Sequence, residues 1–213
     1  MEKVKVVKAY GYHFYKVYDF LPEEELKEAF RSATKWLEEN RKPITEEVFP
    51  PEASWRLLEL GFDKEPLWKE YYRRLDIHTK KYCELIGLLN NTIELHSSWI
   101  TRLKDLDFEG EHDLKDLEKR MRQHSTKGNM HAHHKFNPIT TVYYLTNPHP
   151  KYGTSIKFPG DTYQTNVGQE NSLIIFDGRL EHSAIYPPLN MTKNHPRITV
   201  VADYAYVDRV MFK

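Results

Sequence analysis

The chain has 213 residues and carries 31 Lys+Arg against 31 Asp+Glu, so one substantial domain is expected, with no case for a globally basic nucleic-acid-binding surface. Cys83 is the only cysteine, which excludes an internal disulfide. No signal-peptide run and no apolar stretch of membrane-spanning length is present, so the chain reads as soluble and cytoplasmic, with no membrane partner.

Residues 3–18 alternate apolar and polar side chains and predict one or two strands. A helix of about five turns follows, with Pro22 at its start and Glu23 to Glu25 suited to its positive end. Leu26, Ala29, Phe30, Ala33, Trp36 and Leu37 recur at helical spacing, and Pro43 stops the run. Residues 43–66 read as irregular. A second helix is predicted from about Pro66 to Leu89, with Leu67, Tyr71, Leu75, His78, Tyr82, Leu85 and Ile86 on one face. Residues 92–106 read as a strand, and the charged stretch 107–128 as an insertion or lid.

From Met130 the texture changes to short strands with Gly, Pro and Asn turns. The strands are TTVYYL, TSIKF, SLIIF, HSAIY and RITVVADYAYV, and the segments between them read as turns and loops. Fourteen Tyr and four Trp suit such a β-rich core, with polar-tipped aromatics around a cavity.

The chemistry concentrates in this half. On a strand, residues i and i+2 face one way, so His131 and His133 can converge on one ion while His134 points away. His182, from a neighbouring strand, supplies a third imidazole, and three protein ligands beside open positions mark a reactive non-haem iron site. His124, His149 and His195 lack such support and read as surface residues. Arg197 opens an apolar strand with Thr199 on its face, and a guanidinium holds a carboxylate bidentately. Tyr143 shares a face with Thr141 and Leu145, whereas Tyr144 lies on the other. One of the two tyrosines is expected to donate to the same carboxylate, with Tyr143 favoured. Lys157 is a second conceivable clamp. Trp99 and Asn129 are candidates for the substrate side, with Tyr144 beside them.

Residues 99–206 resemble the 2-oxoglutarate and Fe(II)-dependent dioxygenase superfamily, in its prolyl-hydroxylase-like form. SLIIFDGRLEHSAIYP is similar to that family's segment around its distal histidine. HAHHKFNPITTVYYL resembles a subgroup whose first motif is His-x-His before a tyrosine-rich strand. The resemblance implies a double-stranded β-helix, or jelly roll, supported by N-terminal helices: an α+β arrangement with an all-β core. It makes His131 the first ligand, His182 the distal one and Arg197 to Thr199 the clamp for the far carboxylate of 2-oxoglutarate. The chain departs from the family where His133 replaces the usual Asp or Glu.

The implied layout is a single domain, with strands and supporting helices over residues 1–90 and the jelly-roll core over 92–207. The implied function is a non-haem Fe(II) oxygenase that uses 2-oxoglutarate and O2 to hydroxylate a C–H bond of a small molecule or protein side chain. Two other readings fit the same residues: a three-His cupin-like metalloenzyme without 2-oxoglutarate, and a non-catalytic jelly-roll binding or structural protein. Substrate and oligomeric state are not encoded in any motif.

Overall fold

The computed structural model describes residues 2–40, 53–58, 64–89, 92–103, 119, 137–160 and 162–207. The predicted N-terminal strands form a hairpin, β1 (Lys3–Ala9) and β2 (Tyr12–Tyr18). Tyr10 and Gly11 close it with φ of 51° and 86°, the two positive values that a tight turn matched to strand twist requires. Helix α1 (Glu23–Glu39) buries Ala29, Ala33 and Leu37, a stripe at four-residue spacing, and carries Glu23, Glu24 and Glu25 in its first turn. Helix α2 (Pro66–Ile86) has Pro at its start and ends where Gly87 turns left-handed at φ 72°. It buries Trp68, Tyr71, Leu75, His78 and Tyr82, together with Cys83. Burial pushes the Cys83 thiol up to about 11, so it stays a protonated apolar filler. Leu85 and Ile86, expected on the buried face, are instead 37% exposed, at the last turn of the helix.

The remaining strands are β3 (Ala53–Arg56), β4 (Ile93–Leu103), β5 (Ile139–Thr146), β6 (Thr154–Phe158), β7 (Thr162–Asn166), β8 (Ser172–Asp177), β9 (His182–Ala184) and β10 (Arg197–Tyr206). Three elements lie in stretches that sequence patterning reads as loop: β3, β7 and the single turn α3 (Leu189–Thr192). The first two owe their conformation to a partner, since β3 pairs with β4 and β7 with β6. A seven-stranded sheet runs β1-β2-β8-β5-β10-β4-β3, and a three-stranded sheet runs β7-β6-β9. All pairings are antiparallel. The two sheets form the walls of a jelly roll.

Alternation sorts the large sheet into two faces. Ile198, Val200, Ala202 and Tyr204 of β10 join Tyr143 and Leu145 of β5 and Leu173 and Ile175 of β8 against the two helices. Val142, Tyr144, Ile174 and Phe176 turn the other way and meet Ile156 and Phe158 of the small sheet. Burying the helices therefore directs Arg197, Thr199, Val201 and Asp203 into the space between the sheets.

Beside Tyr144 two loops approach each other too closely for side chains. A Cβ on Gly153 would lie 1.7 Å from the Asn166 carbonyl oxygen, and one on Gly168 would lie 2.6 Å from a Tyr144 ring carbon. Asn147 Nδ2 donates to the carbonyls of Tyr152 and Gly168 at 2.8 and 2.6 Å, tying the same loops together. Among the described residues, no helix is long and apolar enough to cross a membrane.

Candidate active site

His182 enters the inter-sheet space because the turn before it is pinned. The Asp177 carboxylate accepts from Arg179 Nε and Nη2 at 2.8 and 2.7 Å and from its backbone N–H at 3.0 Å. A Cβ on Gly178 would fall 2.6 Å from Thr140 Oγ1, so the turn sits flush on β5. His182 then pairs opposite Ile156 and is 5% exposed. Its ring meets Phe176 edge-on, with centroids 5.0 Å apart at 79°. Nδ1 lies 2.8 Å from the Leu180 carbonyl oxygen. A carbonyl can only accept, so Nδ1 carries the proton and, in the neutral ring, Nε2 carries the lone pair.

Arg197 is 2% exposed at the head of β10. Its guanidinium carbon lies 5.9 Å from the Tyr144 ring centroid and 5.8 Å from that of Tyr186, within cation–π range of both. Tyr144 in turn places its hydroxyl 2.5 Å from Thr154 Oγ1 of the small sheet. Burial raises the Tyr144 phenol, with Arg197 and the Thr154 hydrogen bond acting in the opposite direction. Thr199, on the same face as Arg197, shares a 2.6 Å hydrogen bond with Thr101 of β4. Thr154 pairs opposite Ala184, and Ile156 opposite His182. The row that meets Arg197's neighbour is thus two residues, about 7 Å, along the lumen from the imidazole.

Tyr143 is a correction. It faces the helices and packs on Phe20 and Tyr71, with ring centroids 5.1 and 5.4 Å away, and its hydroxyl donates to Asn171 Oδ1. Strand alternation separates it from Arg197, and Tyr144 takes the place expected for it. Lys157 is ion-paired with Glu181 at 3.0 Å rather than aimed at an anion between the sheets. Trp99 lies on a cavity of about 410 Å³ at the far end of β10. His195 is half exposed beside Glu170. His131, His133 and Asn129 lie outside the described residues, as does the 107–128 stretch apart from Lys119. Among the described residues, no group of three His, Cys, Asp or Glu side chains stands together as a metal site.

Asp203, Thr154 and Tyr186 were not singled out in the sequence. Asp203 had a signal: an acid inside an apolar strand, in phase with Arg197 and Thr199. Thr154 and Tyr186 had none, because their place depends on how the two sheets face each other.

The donor set suits the groups that the sequence implies. An imidazole whose Nδ1–H is held by a backbone carbonyl presents Nε2 in the orientation typical of metal-binding histidines. A buried guanidinium flanked by a neutral phenol suits a carboxylate.

No family model matches the sequence, and no curated protein matches it either. Solved structures do. A Pseudomonas putida prolyl-4-hydroxylase superposes with TM-score 0.57 at 10% identity, covering 91% of this chain and 92% of that one. The epimerase SnoN, solved with Fe3+, alpha ketoglutarate and nogalamycin RO, gives 0.60 at 14% identity, covering 91% and 78%. HygX from Streptomyces hygroscopicus, solved with nickel and 2-oxoglutarate, gives 0.51 at 14%, covering 92% and 83%. At such identities the likeness is one of fold, and the jelly roll described above is the fold shared with these three proteins.

Proposed function

We propose that this chain is a non-haem Fe(II) oxygenase that uses 2-oxoglutarate and O2 to hydroxylate a C–H bond of a small molecule or a protein side chain. The observation that carries the reading is the pairing of His182 with Arg197 inside one jelly roll. A tautomer-fixed imidazole and a buried guanidinium face the same lumen from opposite sheets.

In this reading His131 and His133 join His182 in holding the metal. Arg197 binds the far carboxylate of 2-oxoglutarate, with Tyr144 and Thr199 beside it. Bound iron and 2-oxoglutarate together supply the oxidising chemistry. The chain's own part is to orient and to exclude water. Phe176 and Ile156 set apolar surface beside the imidazole, and the Tyr144 phenol stays protonated as a donor. Trp99 and Asn129 are assigned, in the same reading, to substrate contact.

Anaerobic addition of Fe(II) and then 2-oxoglutarate tests the reading. A weak visible charge-transfer band that needs both components supports it. Iron binding with no such band, and no effect of Arg197→Ala, overturns the role of 2-oxoglutarate and leaves the three-histidine alternative.

A further inference from the structure

Asn166 ends β7 wholly buried, and neither its Oδ1 nor its Nδ2 meets a hydrogen-bond partner among the described residues. A carboxamide brings two N–H donors and one acceptor oxygen. Leaving them unmet in the interior destabilises a fold, so packing alone does not account for an amide there.

Register determines what the amide faces. Asn166 pairs with Thr154, Gln164 with Ile156 and Thr162 with Phe158. Ile156 and Phe158 lie in the apolar layer between the sheets, so alternation turns Thr154 and Asn166 into that same space. As cross-strand neighbours the two have Cβ atoms about 5 Å apart. The Thr154 hydroxyl meets the Tyr144 hydroxyl, and the Tyr144 ring centre lies 5.9 Å from the Arg197 guanidinium carbon. The amide thus borders the surroundings of the buried cation from the small sheet. Its backbone is held in place, because Asn147 Nδ2 donates to the Gly168 carbonyl two residues on.

We propose that Asn166 is a positioning residue for the carboxylate that Arg197 binds, with its Nδ2–H donating from the small sheet while the guanidinium holds the same group from the large one. The inference rests on the reading of Arg197 as a carboxylate clamp and adds the opposite wall to it. A carboxylate has about four lone-pair sites, so a bidentate guanidinium leaves acceptors for a further donor. Of the amide's two ends only Nδ2 donates, so it is the end that meets an anion. Anchors on two facing sheets fix the plane of the carboxylate and with it the direction of the remaining ligand. The His182 row stands two residues further along, at Ile156.

Calorimetry and thermal melting of the full chain test this, with glutarate as a probe for the far carboxylate and 2-oxoglutarate with Fe(II) as the second. Asn166→Leu, close in size and without polar atoms, is expected to melt at or above the wild-type temperature yet bind glutarate about ten-fold more weakly. Unchanged glutarate affinity, or a lost affinity accompanied by a lower melting temperature, overturns the inference, because an amide needed only by the scaffold does not separate the two readouts. Asn166→Asp keeps the shape and replaces the donor by an acceptor, and it decides the matter if the leucine variant yields no folded protein. It is expected to bind glutarate more weakly still, and wild-type affinity in it overturns the inference. The two ligands separate the claims. Glutarate binding that falls in both Arg197→Ala and Asn166→Leu, with no Fe(II)-dependent gain for 2-oxoglutarate, retains Asn166 and removes the oxygenase. 2-Oxoglutarate binding that falls in Arg197→Ala but not in Asn166→Leu removes Asn166 alone. No binding of either ligand by the wild type overturns both.

Discussion

Arg197 lies with its guanidinium carbon 5.9 Å from the centre of the Tyr144 ring, and both side chains are almost wholly withdrawn from solvent. The phenol is tethered to the opposite sheet through Thr154, so the cation is held by a residue that itself spans the gap between the sheets. In the proposed role, Arg197 is thus a preorganised anion receptor rather than a mobile one.

Arg197→Ala is expected to weaken 2-oxoglutarate binding by about 1.5–3 kcal/mol, the worth of a charged hydrogen bond. Arg197→Lys should recover only part of that, because an ammonium lacks the flat fork. Anaerobic calorimetry reads both. An unchanged affinity in Arg197→Ala removes the assignment.

Iron stoichiometry decides the role of His133. His133→Asp is expected to keep the metal, because it places a carboxylate where the resembling family has one. His133→Ala should lose much of the metal if the imidazole is a ligand. Full occupancy and normal succinate formation in His133→Ala would place His133 elsewhere. His182→Ala should abolish binding in any case, and a Co(II) spectrum reports that without turnover.

Asn171 is a structural keystone. It sits at φ 55°, accepts from the Leu21 N–H at 2.9 Å and the Tyr143 hydroxyl at 3.1 Å, and donates to the Leu21 carbonyl at 2.7 Å. Asn171→Gly should cost about 2–3 kcal/mol for these bonds. Asn171→Ala should cost about 1 kcal/mol more for the left-handed backbone. Denaturant midpoints of the two variants give the difference, and equal midpoints would show that the backbone there is unstrained.

Stability should fall in mild acid because of His78. Burial lowers its pKa below the ordinary 6.5, opposed by the hydrogen bond it makes to the Glu2 carboxylate and with smaller lowering contributions from Lys81 and Arg74. Tyr15 occupies its other ring nitrogen at 3.2 Å. A lowered folded-state pKa means that the unfolded chain takes up the proton first. The contribution is therefore intact above pH 6.5 and is lost as pH drops below that value toward the folded-state pKa. Melting temperature against pH for the wild type and His78→Gln checks this. Parallel curves between pH 7 and 5 would contradict it.

Much of this was readable in the chain itself. Period-2 runs and apolar stripes marked the hairpin, the two long helices and the core strands, because each buries its own face. β3 and β7 escaped because they are held by neighbouring strands rather than by their own patterns. Arg197 was legible as a charge opening an apolar strand. Which of two adjacent tyrosines joins it was not, because that depends on which sheet face the helices cover. Asp203 is equally in phase but belongs to no motif.

The close seating of Gly168 reaches the guanidinium through one ring. A Cβ there would meet the Tyr144 ring carbon at 2.6 Å, and that ring lies 5.9 Å from the guanidinium carbon of Arg197. A methyl group added at Gly168, on a loop far along the chain from Arg197, is therefore expected to displace the aromatic face on which the buried cation rests, so its effect is felt at the charge and not only in the loop.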